Sequence, residues 1–120
     1  MSIDFKQALG THANTLALRA ERTKILASNI ANESTPGYQA RDIDFAATLR
    51  QTEAGEDADG LSLDTEDPKY RVPFHPTQDG NTVELGVEQA AFSQNASDFQ
   101  TSLTFVSMKL RGLAKAIEGR

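Results

Sequence analysis

Hydrophobic positions keep a helical spacing at both ends of the chain and lose it between them. From about Ser2 to Asn32, Leu9, Leu16, Thr23 and Ile30 recur at intervals of seven, and Ala13, Ala20 and Ala27 follow the first three by four positions. From about Thr82 to the end, Phe92, Phe99, Val106 and Leu113 form one row of sevens. Ala96, Leu103, Leu110 and Ile117 form a second. A sustained seven-residue repeat keeps one stripe turned toward a partner helix as the pair supercoils. The pattern predicts a mainly α fold, in which N- and C-terminal heptad helices pair as an antiparallel coiled-coil hairpin around an irregular middle. Leu18, Ile25, Leu26 and Phe105 lie off these stripes and predict a second contact face.

Two short stretches interrupt the pattern. Thr35-Pro36-Gly37-Tyr38 fits a type II turn, because proline presets φ at the second position and glycine accepts positive φ at the third. Thr35 precedes a proline and is pushed out of the α region, which ends the first helix. Asn29, Asn32, Ser34 and Thr35 supply short polar side chains for the unpaired groups at that end. Asp79-Gly80-Asn81 is the second strong turn signal. Residues 1–33 are thus expected to form an N-terminal axial helix and 84–120 a C-terminal one. Residues 34–83 hold the turn, a loop and short extended segments. Within that middle, Arg41-Asp42-Ile43-Asp44-Phe45 alternates, as a short strand or the lead into a one- or two-turn helix would. Leu61-Ser62-Leu63 and Tyr70-Arg71-Val72 are further extended candidates. Pro68, Pro73 and Pro76 rule out helix there and confine any strand to an edge.

The 120 residues suffice for one domain. The net charge of −5 is concentrated between Gln51 and Pro68, which holds seven acids and no base, leaving +2 for the rest. Neither helix is a basic stripe, so the electrostatic footprint of nucleic-acid binding is missing. The absence of cysteine removes disulfides, thiolate metal sites and a cysteine nucleophile. No apolar run approaches the roughly 20 residues of a membrane span, and Met1 to Lys6 lacks the make-up of a cleaved signal. On these grounds alone the chain stays in the cytosol. The seam residues are too few to hold either helix alone, so the ends of the free chain are expected to be disordered until assembly.

Candidates for chemistry are weak. His12 sits on the apolar face of the first helix and His75 between two prolines, neither beside a nucleophile. Asp57, Asp59, Gly60 and Glu66 match the later part of a calcium loop, but the first ligand position is Gly55. Glu84 and Glu88 are one helical turn apart, a spacing more typical of a solvated face than of a chelate. No catalytic, metal or cofactor site is expected.

Ser28-Asn29-Ile30-Ala31-Asn32-Glu33-Ser34-Thr35-Pro36-Gly37-Tyr38, with paired terminal heptad helices, resembles the bacterial flagellar rod, hook and filament family of axial proteins. Gln39 to Phe45, Asp79 to Leu85 and the ending from Phe99 to Gly119 resemble its proximal-rod branch. The likeness covers about 1–50 and 68–120; Glu33-Ser34 departs from the usual pattern. It implies a non-enzymatic structural subunit of the basal body that polymerises through its terminal helices. It also implies type III export without a cleaved signal and assembly in the periplasm, which revises the cytosolic expectation. The implied partners are other rod proteins, the MS-ring protein, a rod-base adaptor, the export apparatus and further copies of itself, with no nucleic acid and no membrane insertion. On this reading Leu9, Leu16 and Ile30 pack against Phe99, Leu103, Val106, Leu110, Leu113 and Ile117, while Leu18, Ile25 and Phe105 face neighbouring subunits. The rival reading is a cytosolic helical adaptor or export chaperone.

Overall fold

The computed structural model describes residues 5–53 and 69–119, and the side chains of 9–51 and 69–119. The calcium-loop-like stretch, the Leu61 to Leu63 segment and the extreme ends, whose disorder is expected above, lie outside them. The chain is elongated, 64 × 28 × 18 Å. In order it forms α1 (Phe5–Ala31), β1 (Arg41–Asp42), α2 (Phe45–Glu53), β2 (Lys69–Tyr70) and α3 (Leu85–Glu118). As the heptad repeats predict, α1 and α3 pack against each other as a hairpin. The alternation at 41–45 yields both of its alternatives in succession, a two-residue strand and then a helix. β1 and β2 pair antiparallel, Arg41 opposite Tyr70 and Asp42 opposite Lys69.

The antiparallel sense of the hairpin follows from its cross-links. Asn29 meets Glu88, Thr23 meets Asn95, Arg19 meets Asp98 and His12 stacks on Phe105. Paired numbers therefore rise on one helix as they fall on the other. Continued at that register, Phe5 lies opposite the region of Gly112, and the last turn and a half of α3 extends past the described start of α1.

The fully buried apolar side chains among the described residues are Leu18, Leu26 and Ala40, with Ile43 nearly so. They belong to α1 and to the segment around β1, because α1 packs against β1 and α2 as well as α3. Leu18, expected at a subunit boundary, is 0% exposed. Its off-stripe position reflects the small lobe built by residues 38–53, which covers α1 on a second side. The α3 rows also divide differently from the expectation. Phe92, Phe99, Val106 and Leu113 are half-buried, but Leu103, Leu110 and Ile117 are 47%, 48% and 61% exposed. The row that joins the Phe92 row against α1 is instead Glu88, Asn95 and Ser102, on its other flank. Two rows that flank a third are equivalent in period, and here the polar one is turned inward.

Asp44 starts α2. Its carboxylate accepts a hydrogen bond from the Ala47 backbone N–H at 3.2 Å, three positions into the helix, and its Oδ2 accepts one from Lys69 at 3.1 Å. The Ala47 N–H first, and the Lys69 ammonium second, hold its pKa below the ordinary 3.8. A depressed carboxylate stabilises the fold above its unfolded pKa, and that contribution is lost as pH falls through the folded value. Acidification below 3.8 is therefore expected to fray α2 before α1 or α3. In Asp44→Asn this fraying loses its acid dependence, which amide exchange across 45–51 at several pH values will measure.

Candidate functional site

The site is the end of the hairpin where α1 stops, the chain turns, and α3 later begins. α1 ends at Ala31, with the Asn32 side chain donating back to the Ser28 carbonyl at 2.8 Å and Thr35 Oγ1 donating to Asn32 Oδ1 at 3.0 Å. The turn that follows is closed by the Tyr38 N–H on the Thr35 carbonyl at 3.2 Å, with Gly37 at φ 75°. That φ is the left-handed value a type II turn demands at its third position.

Asp79-Gly80-Asn81, distant in sequence, is clasped onto this turn. The Gly37 N–H donates to the Asp79 carbonyl at 3.0 Å, and the Thr82 N–H donates to the Tyr38 carbonyl at 2.9 Å. The Ala40 N–H donates to Thr82 Oγ1 at 2.8 Å. Gly80, at φ 77°, lies against Gly37, where an added Cβ would stand 3.6 Å from the Gly37 Cα. Asn81 is buried at the centre. Its Nδ2 donates to the carbonyls of Asn32, Glu33 and Thr35 at 2.9, 2.9 and 2.8 Å, and its Oδ1 accepts the Val83 N–H at 2.8 Å. One carboxamide thus gathers three carbonyls of the segment that leaves α1, two of which also accept backbone N–H groups within the turn, and fixes the approach to α3.

A second, charged network lies beside this clasp. Asn29 is buried, donating from Nδ2 to the Arg41 carbonyl at 2.7 Å and to Glu88 Oε2 at 2.9 Å, while its Oδ1 accepts the Arg41 N–H at 3.1 Å. Both backbone groups of Arg41 are therefore held by one side chain of α1. Tyr38 Oη adds a longer contact to Asn29 Oδ1 at 3.4 Å. Glu88, 0% exposed, has Arg71 Nε 2.8 Å from its Oε1, near enough to pair charge though angled away from hydrogen-bond geometry. Arg71 also donates to Asp42 Oδ2 at 2.8 Å, and Arg22 grips the same carboxylate from α1 at 3.0 and 3.1 Å. Two arginines, two acids and one asparagine thus tie α1, the β1–β2 pair and α3 into one junction. Burying charge is tolerable here because each partner is matched.

Further along the hairpin, Asn95 donates to the Arg19 carbonyl at 3.0 Å and to Thr23 Oγ1 at 2.9 Å. Arg19 pairs with Asp98 at 3.3 Å and lies 4.0 Å over the Phe45 ring, joining α3 to α2 across α1. Arg22, Asp42, Arg71 and Asn95 were not among the residues singled out from sequence, and Glu88 was singled out for a different reason. Glu84 and Glu88 are turned to separate tasks, since Glu84 Oε1 accepts the Phe74 N–H at 2.6 Å. The visible signal was Glu88 and Asn95, polar residues seven apart beside an aromatic row. Of the residues expected between subunits, Ile25 is half-buried and Phe105 is 51% exposed. Leu9, Leu16 and Ile30 are half-buried along α1.

A family profile described as flagella basal body rod protein matches residues 9–39, which span most of α1 and the turn. A Cereibacter sphaeroides protein named flagellar basal body rod protein FlgB is 46% identical over 124 residues, covering 96% of this chain and 97% of its own length. This chain belongs to the FlgB family of flagellar basal body rod proteins. FlgB proteins of Aeromonas hydrophila and Escherichia coli K12 are 39% and 38% identical, covering 99% and 92% of this chain and 98% and 93% of their own lengths. The FlgB likeness therefore runs through the lobe and α3 as well as α1. As a FlgB-family member the chain is a structural subunit of the rod, and the adaptor or chaperone reading finds no support.

Proposed function

We propose that this rod subunit polymerises through its terminal helices in the proximal rod, in the periplasm after type III export. Its neighbours are further copies, other rod proteins, and at the base the MS-ring protein, a rod-base adaptor and the export apparatus. One observation carries the reading: the hairpin closes on the Phe92 and Glu88 rows of α3 and leaves Leu103, Leu110 and Ile117 exposed at intervals of seven. An apolar heptad row without a partner in its own chain is a surface for another helix. The buried junction keeps the lobe at a fixed angle to that surface, so each added subunit presents the same geometry.

The test is the triple variant Leu103→Ser, Leu110→Ser, Ile117→Ser. These side chains are about half exposed or more, so the helical circular dichroism of the free chain is expected to persist. Incorporation into purified basal bodies, and swimming, are expected to be lost. Basal bodies that contain the triple variant at normal level and turn normally will refute the reading.

A further inference from the structure

The buried residues of α3, among those described, are Glu88 and Asn95, and both are polar. Glu88 belongs to the charged junction. Asn95 lies one heptad further on, about 10 Å along the axis at about 1.5 Å per residue. It is 1% exposed, and its Nδ2 donates to the Arg19 carbonyl at 3.0 Å and to Thr23 Oγ1 at 2.9 Å. Thr23 is the polar member of the row Leu9, Leu16, Thr23, Ile30, so the polar residue of one seam meets a polar residue of the other. Seven positions to either side stand Leu16 and Ile30, which offer a carboxamide nothing. Asn95 Oδ1 is buried and finds no donor in the chain. A buried carboxamide with one atom unmatched adds little to stability. In paired helices its best-attested use is to fix how the two face each other.

The facing of α3 needs such a fixing. Seven residues at about 100° each fall about 20° short of two full turns. Along a straight helix each member of the Phe92 row therefore stands about 20° behind the one before it, and the Ala96–Leu103 row, four residues ahead, comes round toward α1. Leu103 is 47% exposed, and turning it inward removes apolar surface from water. Apolar burial alone thus favours the flank that the hairpin leaves outside. The opposing force lies on the other flank. The Asn29–Glu88 bond sets the phase at the start of α3, and the bonds from Asn95 to Thr23 and the Arg19 carbonyl repeat it one heptad later. The Arg19–Asp98 pair follows on α3, but both side chains are partly exposed and such pairs contribute little.

We propose that Asn95 is a positioning residue of the rod subunit: its carboxamide holds the Glu88–Asn95–Ser102 flank against α1 and keeps Leu103 on the outside. Buried inside the hairpin, Asn95 acts on assembly only through the direction in which α3 presents Leu103. That direction is a property of the free chain. That the outward row then meets a neighbouring subunit rests on the rod reading above.

The chain has no cysteine of its own, so a single introduced thiol reports its position without background. Ser102 and Leu103 are adjacent but lie on opposite flanks of the seam, the first half-buried and the second 47% exposed. Ser102→Cys and Leu103→Cys are each placed in the full chain, alone and together with Asn95→Ala, and the rates of maleimide labelling are compared under native conditions. With Asn95 present, the Leu103→Cys thiol is expected to label faster than the Ser102→Cys thiol. In the Asn95→Ala background the Leu103→Cys rate is expected to fall several-fold and the Ser102→Cys rate to rise several-fold, with helical circular dichroism retained. Rates that rise at both positions, or change at neither, mark Asn95 as an ordinary structural contact and overturn the proposal. Thr23→Val keeps the shape of the seam and removes one of the two acceptors of Asn95. The same reciprocal shift, smaller, is expected in that background, and its absence also overturns the proposal. The labelling needs no rod, so its failure leaves the rod reading standing. Absence of the parent chain from basal bodies defeats the rod reading and leaves the facing of α3 as measured.

Discussion

Replacing Glu88 with alanine is expected to cost about 3–5 kcal/mol of folding stability, a large share of what a small domain possesses. Glu88 is fully buried, accepts a hydrogen bond from Asn29 Nδ2 at 2.9 Å and sits 2.8 Å from Arg71 Nε. Removing the carboxylate leaves the Arg71 guanidinium with Asp42 as its remaining acid, which Arg22 already engages. A guanidinium left to share one carboxylate with a second arginine is more damaging than the loss of the Glu88–Arg71 pair as a whole. The double variant Glu88→Ala, Arg71→Ala is therefore expected to be less destabilised than the two single effects added together. Glu88→Gln, which keeps the shape and an acceptor for Asn29 but drops the charge, falls between, at about 1.5–3 kcal/mol. Urea denaturation followed by circular dichroism measures all of these. A Glu88→Ala midpoint within error of the parent, or strict additivity in the cycle, will show that the junction does not hold the hairpin.

The local chemistry of the bend was legible in the sequence, and its architecture was not. Pro36, Gly37, Asp79 and Gly80 declare turns by what their own backbones allow, a property that needs no partner. That the two turns clasp each other depends on Asn81 reaching three carbonyls more than 45 positions earlier, which no local rule contains. The helices themselves were visible in the heptad spacing, yet the choice of facing row was not. Periodicity cannot distinguish the Ala96-Leu103-Leu110-Ile117 row from the Glu88-Asn95-Ser102 row as flanks of the Phe92 row. The rule that apolar faces turn inward picks the first. It fails here because the polar row finds matched partners within the chain, Asn29 for Glu88 and Arg19 and Thr23 for Asn95, while the apolar row is left exposed. Leu18 illustrates the converse. Its distance from the α1 stripe suggested a neighbour, and the neighbour is the chain's own lobe around β1 and α2, which is too short and irregular to announce itself. Arg22, Asp42 and Arg71 were invisible for a related reason: each is an ordinary surface charge until β1 and β2 pair and bring them together.

Asn81→Asp is expected to be more harmful than Asn81→Ala, although it is the closer match in shape. Alanine removes three donor contacts to the carbonyls of Asn32, Glu33 and Thr35 and the acceptor for the Val83 N–H, a loss of about 2–4 kcal/mol at about 1 kcal/mol for each bond. Aspartate can still accept from Val83, but its other oxygen replaces a donor at less than 3 Å from those carbonyls. Negative charge is then buried among carbonyl dipoles, which raises the carboxyl pKa in the folded state above its unfolded value of about 3.9. For an acid so perturbed, the extra cost is absent below the unfolded pKa and grows as pH rises toward the folded one, then stays constant. The gap between Asn81→Asp and Asn81→Ala is thus expected to be wide at pH 7 and narrow toward pH 4, where a protonated carboxyl can donate to one carbonyl. Amide exchange locates the damage: the Gly37 and Thr82 N–H groups, bonded to Asp79 and Tyr38 across the clasp, are expected to lose protection before the seam of α1 and α3 does. If the two substitutions destabilise equally at pH 7, the three carbonyls do not depend on the Asn81 donor. The coupling between the end of α1 and the start of α3 must then reside in the backbone bonds of the clasp and the Asn29–Glu88 contact instead.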